Sequence, residues 1–215
     1  MNYSLFVRRN TEIVSPPLLP EIRLHLATEV TPIWQATEDS LAAGAVPPPF
    51  WAFTWAGGQA LARYLLDRPE TVAGREVLDF ASGSGLVAIA AAKAGATRVT
   101  AAEIDQFAAA AIAANALLNG IEIDVAQTDL LDRRPEDWAV VTAGDVCYEQ
   151  PMAERSIAWL RRLARCGSHV LLGDPGRTYL PKSGLRVLAR YQVPTTRELE
   201  DRELRDSIVC EVLPE

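Results

Sequence analysis

From Arg75 onward the chain repeats a strand, a loop and a helix, and that rhythm limits it to a parallel sheet with helices on both faces. Short apolar runs at Glu76–Phe80, Arg98–Ala102, Ile123–Ala126, Val140–Ala143 and His169–Leu172 are the predicted strands. Helices are predicted over Ala60–Leu66, Leu86–Ala94, Gln106–Asn119 and Met152–Arg165. Two further strands, Tyr191–Thr195 and Ser207–Leu213, flank the charged run Arg197–Asp206 and complete a seven-stranded, mostly parallel Rossmann-like α/β sheet.

The chain has 215 residues, 49% of them hydrophobic, enough for one compact domain with a sizeable core. The stretch 1–49 reads differently from 50–215. Prolines at Ser15-Pro16-Pro17 and Pro20 open it, Glu21–Ala27 and Trp34–Ala43 are predicted helices, and Pro47-Pro48-Pro49 closes it. Its Ile22, Leu24, Leu26, Ile33, Trp34 and Leu41 predict a helical extension packed on the core domain 50–215. A net charge of −7 argues against a nucleic-acid binder, which needs a basic footprint. No apolar run approaches the roughly 20 residues that span a bilayer, and Met1–Asn10 lacks the apolar region of a signal peptide, so a cytoplasmic protein is expected. His25, His169, Cys147, Cys166 and Cys210 are too dispersed for a metal site or a disulfide framework.

Chemistry concentrates at the strand ends. Val77-Leu78-Asp79-Phe80-Ala81-Ser82-Gly83-Ser84-Gly85 turns from the first strand into a helix whose unpaired N–H groups face the loop. Dinucleotide enzymes use a related loop, so the discriminating residue is Asp79. A carboxylate there repels a pyrophosphate, but it can accept hydrogen bonds around a sulfonium amino acid, directly or through water. The second strand ends at Glu103-Ile104-Asp105, where Glu103 is placed to accept both hydroxyls of a ribose and Asp105 to cap the next helix. After the third strand, Asp129 is a candidate for an adenine amino group, with a helix cap or a solvated acid as the alternative.

These motifs resemble the class I methyltransferases. Val99–Gly120, with Asn115-Ala116-Leu117-Leu118-Asn119-Gly120, is similar to ribosomal-protein-L11-type enzymes, and Gly144-Asp145-Val146-Cys147-Tyr148-Glu149 resembles the Asp-x-x-Tyr-Glu/Asp motif of seven-strand lysine methyltransferases. Phe50–Gln59 with Ala60–Asp67, Gly173-Asp174-Pro175-Gly176-Arg177, Asn10-Thr11-Glu12 and Leu19–Leu24 resemble the electron-transfer-flavoprotein β-subunit lysine methyltransferases. The chain departs from that pattern at Ala81, where the first loop glycine is usual, and at Ala56, where a proline often follows the tryptophan.

The resemblance implies S-adenosylmethionine as cofactor and a protein lysine as acceptor. Its cofactor residues would be Trp55, Gly57, Gln59, Asp79, Ala81, Gly83, Gly85, Glu103, Asp129, Trp138 and Gly144, with Trp138 beside the adenine. Asp145 would orient the lysine nitrogen, Tyr148 would wall its channel, Glu149 would attract the cation, and Asp174 and Arg177 would stand at the substrate rim. Its implied targets are the flavoprotein β-subunit and ribosomal protein L7/L12. A small-molecule amine methyltransferase, a nicotinamide dehydrogenase and a non-catalytic nucleoside-binding module are the alternatives.

Overall fold

A computed structural model describes residues 1–35, 47–133, 138–196 and 203–214. Its centre is a seven-stranded sheet. The strands are β3 (Glu76–Phe80), β4 (Arg98–Glu103), β5 (Asp124–Gln127), β6 (Val140–Gly144), β7 (His169–Asp174), β8 (Leu185–Pro194) and β9 (Leu204–Val212), in spatial order β5-β4-β3-β6-β7-β9-β8. From β5 to β7 all pairs are parallel, and β9 runs antiparallel between β7 and β8. The order reverses between β3 and β6, which opens a crevice at the carboxyl ends of those strands.

Side chains alternate across the sheet. Val77, Val140 and Leu171 enter one apolar cluster while their successors Leu78, Val141 and Leu172 enter another. Both faces are buried, which explains the near-continuous apolar strands. On the first face lie α3 (Ala56–Asp67) and α4 (Leu86–Lys93), whose alanines allow close packing. On the second lies α6 (Met152–Arg165), which buries Ala153, Ile157, Leu160 and Leu163 and turns its arginines outward.

Glycine decides how near α3 approaches the sheet. A Cβ on Gly57 would stand 2.4 Å from the Gly173 carbonyl oxygen, and a Cβ on Gly173 would stand 2.2 Å from that of Gly57. The first turn of α3 therefore rests on the ends of β6 and β7 backbone to backbone.

The N-terminal stretch corrects one expectation. Glu21–Ala27 is not a helix: β1 (Glu12–Val14) and β2 (Leu24–Leu26) form a two-stranded antiparallel sheet, with Glu12 opposite Leu26 and Val14 opposite Leu24. Ile22, Leu24 and Leu26 recur every second residue and all three are buried, so the period is that of a strand. Helices are α1 (Tyr3–Asn10), which the sequence reading did not anticipate, and the short α2 (Pro32–Gln35). The predicted Trp34–Ala43 helix otherwise lies outside the described residues.

These elements pack on α5 (Gln106–Leu118), where Tyr3 and Phe6 meet Phe107 with ring centroids 5.0 and 4.8 Å apart. Asn115, fully buried on α5, accepts from the His25 amide at 2.7 Å and donates to the Ser84 carbonyl at 2.8 Å. One side chain thus joins β2 to the glycine loop. No helix among the described residues is long and apolar enough to cross a membrane.

Two stability measurements test this account. Asn115→Ala leaves a buried N–H and C=O without their partner and should cost about 2 kcal/mol or more in urea unfolding. Ala81 holds φ +53°, a left-handed conformation that costs a non-glycine residue about 1–2 kcal/mol. Glycine relieves that strain but adds about 0.4–1 kcal/mol of unfolded-chain entropy. Ala81→Gly is therefore expected to be neutral or stabilising by up to about 1 kcal/mol, and Ala81→Val destabilising; a clear loss from the glycine variant would contradict the assigned backbone.

Candidate active site

The crevice widens into a cavity of about 550 Å³. Phe80, Ala81 and Gly83 from the β3 end, Glu103 to Asp105 from β4, Thr128 and Asp129 after β5, and Gly144 to Val146 from β6 line it. Phe50, Trp51, Trp55 and Tyr148 form much of the remaining wall. A smaller pocket between the glycine loop and Trp55 adjoins it and reaches Asp79, Ser82, Gly58 and Asp145.

Asp79 is almost wholly buried, and its oxygens are used by the protein itself. One accepts from the Thr142 hydroxyl at 2.8 Å; the other accepts from the Ser82 hydroxyl and from the Ala88 amide at 3.2 Å. The carboxylate ties the loop, the first turn of α4 and strand β6 together. Burial outweighs these donors and pushes its pKa up to about 6.

Glu103 closes over the loop from the other side. Its carboxylate accepts from the amides of Gly83 at 3.0 Å, Ile104 at 2.8 Å and Asp105 at 3.3 Å, and burial raises its pKa. Asp105 caps α5 by accepting from the Phe107 amide at 2.9 Å. Asp129 accepts from the Leu131 amide at 2.9 Å while lining the cavity, so a local cap and a place on the wall coexist in one residue.

Asp145 stands at the β6 tip with φ +55°, which turns its side chain back over α3. Its Oδ2 accepts from the Gly58 amide at 2.7 Å, and its Oδ1 accepts from Arg177 Nε at 3.1 Å and Nη2 at 2.8 Å. Burial raises its pKa to about 7 against the pull of Arg177, while Asp174 adds repulsion. Arg177 also lies 5.5 Å over the Trp55 ring. Its backbone amide and that of Gly176 each donate to Asp174 Oδ1 at 2.7 Å. At the mouth, Tyr148 and Phe50 are half-exposed with ring centroids 5.8 Å apart.

The structure thus gathers Trp55, Asp79, Ala81, Gly83, Glu103, Asp129, Gly144, Asp145 and Tyr148 around the two pockets. Others it places elsewhere. Gly57 packs on Gly173, and Gly85, at φ +82°, starts α4 against Ile112. Buried Gln59 donates to the Thr54 carbonyl at 2.8 Å and braces the turn before α3. Trp138 is not on the cavity wall; half-buried, it packs against the cluster of Phe80, Leu131 and Leu160. Glu149 is exposed and lines neither pocket; its carbonyl accepts from the Ala153 amide. Sequence reasoning did not assign Gly58, Ser82 or Thr142 as partners of the buried acids. The Gly57-Gly58 doublet at a helix start is the only signal the sequence carries for the first.

The lining suits a cationic nucleoside better than a dinucleotide. Glu103, Asp105, Asp129 and Asp145 surround the cavity, and its two arginines are already paired, Arg177 with Asp145 and Arg155 with Asp132. A pyrophosphate would meet carboxylates where it needs donors. Among the described residues no group of three or more His, Cys, Asp and Glu could hold a metal ion.

Residues 59–144 match the family model for ribosomal protein L11 methyltransferase (PrmA). The electron transfer flavoprotein beta subunit lysine methyltransferase of Xenopus laevis is 38% identical, covering 97% of this chain and 86% of that protein. Its Danio rerio counterpart is 39% identical over 95% of this chain and 81% of its own length. Among solved structures, ribosomal protein L11 methylase from Lactobacillus delbrueckii subsp. bulgaricus aligns with a TM-score of 0.52 at 22% identity, covering 75% of this chain and 81% of that one. Magnesium protoporphyrin IX methyltransferase from Synechocystis PCC 6803, with bound SAM, aligns at 0.53 and 19% identity, over 72% of this chain and 77% of its own. These structural likenesses show the shared Rossmann-like fold. The full-length relationship goes further, and by it the chain belongs to the electron transfer flavoprotein β-subunit lysine methyltransferase family and is a methyltransferase.

Proposed function

We propose that this enzyme transfers the methyl group of S-adenosylmethionine to a lysine amine of a protein, with the electron transfer flavoprotein β-subunit as first candidate and ribosomal protein L7/L12 as second. The observation that carries this reading is the buried carboxylate of Asp145, set between an acid-lined nucleoside cavity and an aromatic mouth. S-adenosylmethionine, when bound, supplies an electrophilic methyl group on a sulfonium sulfur.

Glu103 would accept the ribose hydroxyls, since its carboxylate edges the cavity at the β4 tip beside Gly83. Asp129, on the cavity wall, would stand at the adenine end. Asp79, held by three protein donors, would act mainly by fixing the loop shape and by adding negative charge beside the smaller pocket, which suits the methionyl end. Phe50 and Tyr148 offer ring faces to the apolar stem of an incoming lysine. Asp145 lies where the cavity and the smaller pocket meet and would draw the nitrogen into line with the methyl group.

Asp145 aligns the amine; it is not assigned as a base. A lysine amine titrates at about 10.4, and a carboxylate beside it favours the charged form. Proton loss is therefore a separate event, for which the open mouth gives access to water. Glu149, exposed outside the pockets, would act only at long range on the approaching cation.

Mass spectrometry of purified electron transfer flavoprotein and L7/L12 after incubation with enzyme and cofactor tests the reading; it fails if neither gains methylated lysine. Two variants divide the roles. Asp145→Asn should lower kcat by about 100-fold or more while leaving the Kd for S-adenosylhomocysteine within about threefold. Glu103→Gln should raise that Kd by about tenfold or more, read by calorimetry.

A further inference from the structure

We propose that Arg177 is a positioning residue for methyl transfer: it favours the ionised form of Asp145 and leaves one acceptor position of that carboxylate open to the incoming amine. The proposal rests on the reading of Asp145 as the residue that aligns the lysine.

A carboxylate has about four acceptor positions. In Asp145, both on Oδ1 are taken by Arg177 Nε and Nη2, and one on Oδ2 is taken by the Gly58 amide. The fourth, on Oδ2, is what an amine can take without displacing a protein donor. Arg177 on Oδ1 and the Gly58 amide on Oδ2 together hold the carboxylate against rotation about its last bond, so that the open position stays on Oδ2.

It also sets the charge. Asp145 is 7% exposed, and desolvation favours its neutral form. Asp174, at the end of β7, adds repulsion. The other titratable groups near it are Cys147 and Tyr148 just after β6, Asp79 from β3 in the smaller pocket, and Glu103 from β4 across the cavity. The first turn of α3, Ala56 to Gln59, contributes an amide and no titratable side chain. Arg177 is the counterweight. It is held in place independently of Asp145, by its amide on Asp174 and by its stacking over Trp55. Without it, the acid would be protonated across the neutral range, and a protonated carboxyl neither attracts an ammonium nor orients an amine by charge.

The test reads Asp145 directly and in turnover. Carbon-13 NMR of aspartate-labelled protein, with Asp145→Asn for assignment, follows the carboxyl titration without substrate. In Arg177→Gln the Asp145 midpoint should move up by about one pH unit or more, and Arg177→Lys should undo much of that shift. The acidic limb of kcat/KM for methylation of electron transfer flavoprotein should move upward by the same amount. Because activity requires the carboxylate, it rises with pH through the Asp145 pKa, and a higher pKa shifts the rise to higher pH. The proposal is overturned if Arg177→Gln, folded by circular dichroism, loses turnover evenly across pH with the carboxyl titration unmoved. If Asp145→Asn keeps wild-type kcat/KM while Arg177→Gln still moves the titration, the lysine-aligning reading falls and takes this proposal with it. That outcome is distinguishable from the first because the NMR shift survives.

Discussion

The contact on which the site depends is backbone against backbone, between Gly57 of α3 and Gly173 of β7. Neither position has room for a Cβ, since either would meet the other's carbonyl oxygen at under 2.5 Å. Apolar packing of Ala60, Leu61 and Leu65 with Leu171 and Val209 presses the helix onto the sheet, and the two glycines let it come that close. Its N-terminal amides are thereby delivered to the ends of β6 and β7. The Gly58 amide donates to Asp145, and the positive end of the helix dipole faces the same carboxylate. A larger residue at Gly57 would lift the helix and uncouple the acid from its first partner.

The strand ends share one electrostatic plan. Asp79, Glu103 and Asp145 are all held at the carboxyl edge of the sheet by N–H or O–H donors, and burial raises the pKa of each. Asp79 and Glu103 stay receptive to positive charge, because their donors are dipoles and the burial penalty falls when a cation arrives. Only Asp145 among the three has an arginine partner. Asp145 therefore has a charged partner within the protein, whereas Asp79 is held by neutral donors from the loop, α4 and β6.

Much of this was legible in the sequence, and the failures have physical causes. The boundaries of β3 and α6 follow from apolar runs ended by Ala81 and by Cys166-Gly167, and the cap at Asp105 follows from an acid ahead of an alanine-rich helix. In Glu21–Ala27 apolar residues at alternate positions also fit a loose helical count, but pairing of Leu24–Leu26 with Glu12–Val14 makes it a strand. Gln59 and Gly57 lie beside the cavity in sequence, yet their helix turns them toward Thr54 and Gly173. Trp138 sits just before β6, but its ring joins the cluster below the sheet. The Asp145–Arg177 pair was illegible for another reason. Its members lie on separate strand ends, and the left-handed backbone at Asp145 that aims one at the other is only weakly signalled by an aspartate.

The N-terminal stretch supports the glycine loop from behind. Asn115 links the His25 amide to the Ser84 carbonyl, and Asn119 pairs with the Arg23 backbone through contacts of 2.6 and 3.1 Å. Helix α5, which also backs Gly85 through Ile112, is therefore held between β2 and the loop. The chain that leads from this stretch into α3 supplies Pro47, Pro48, Phe50 and Trp51 to the cavity wall. Buried packing and hydrogen bonds thus connect the loop, α5 and the wall around Trp51. Removal of the stretch would expose Phe107 and Ala111 and would take away both the brace of the glycine loop and part of the cavity wall. The cavity is in this sense a product of the whole chain, although its acids all come from the strand ends.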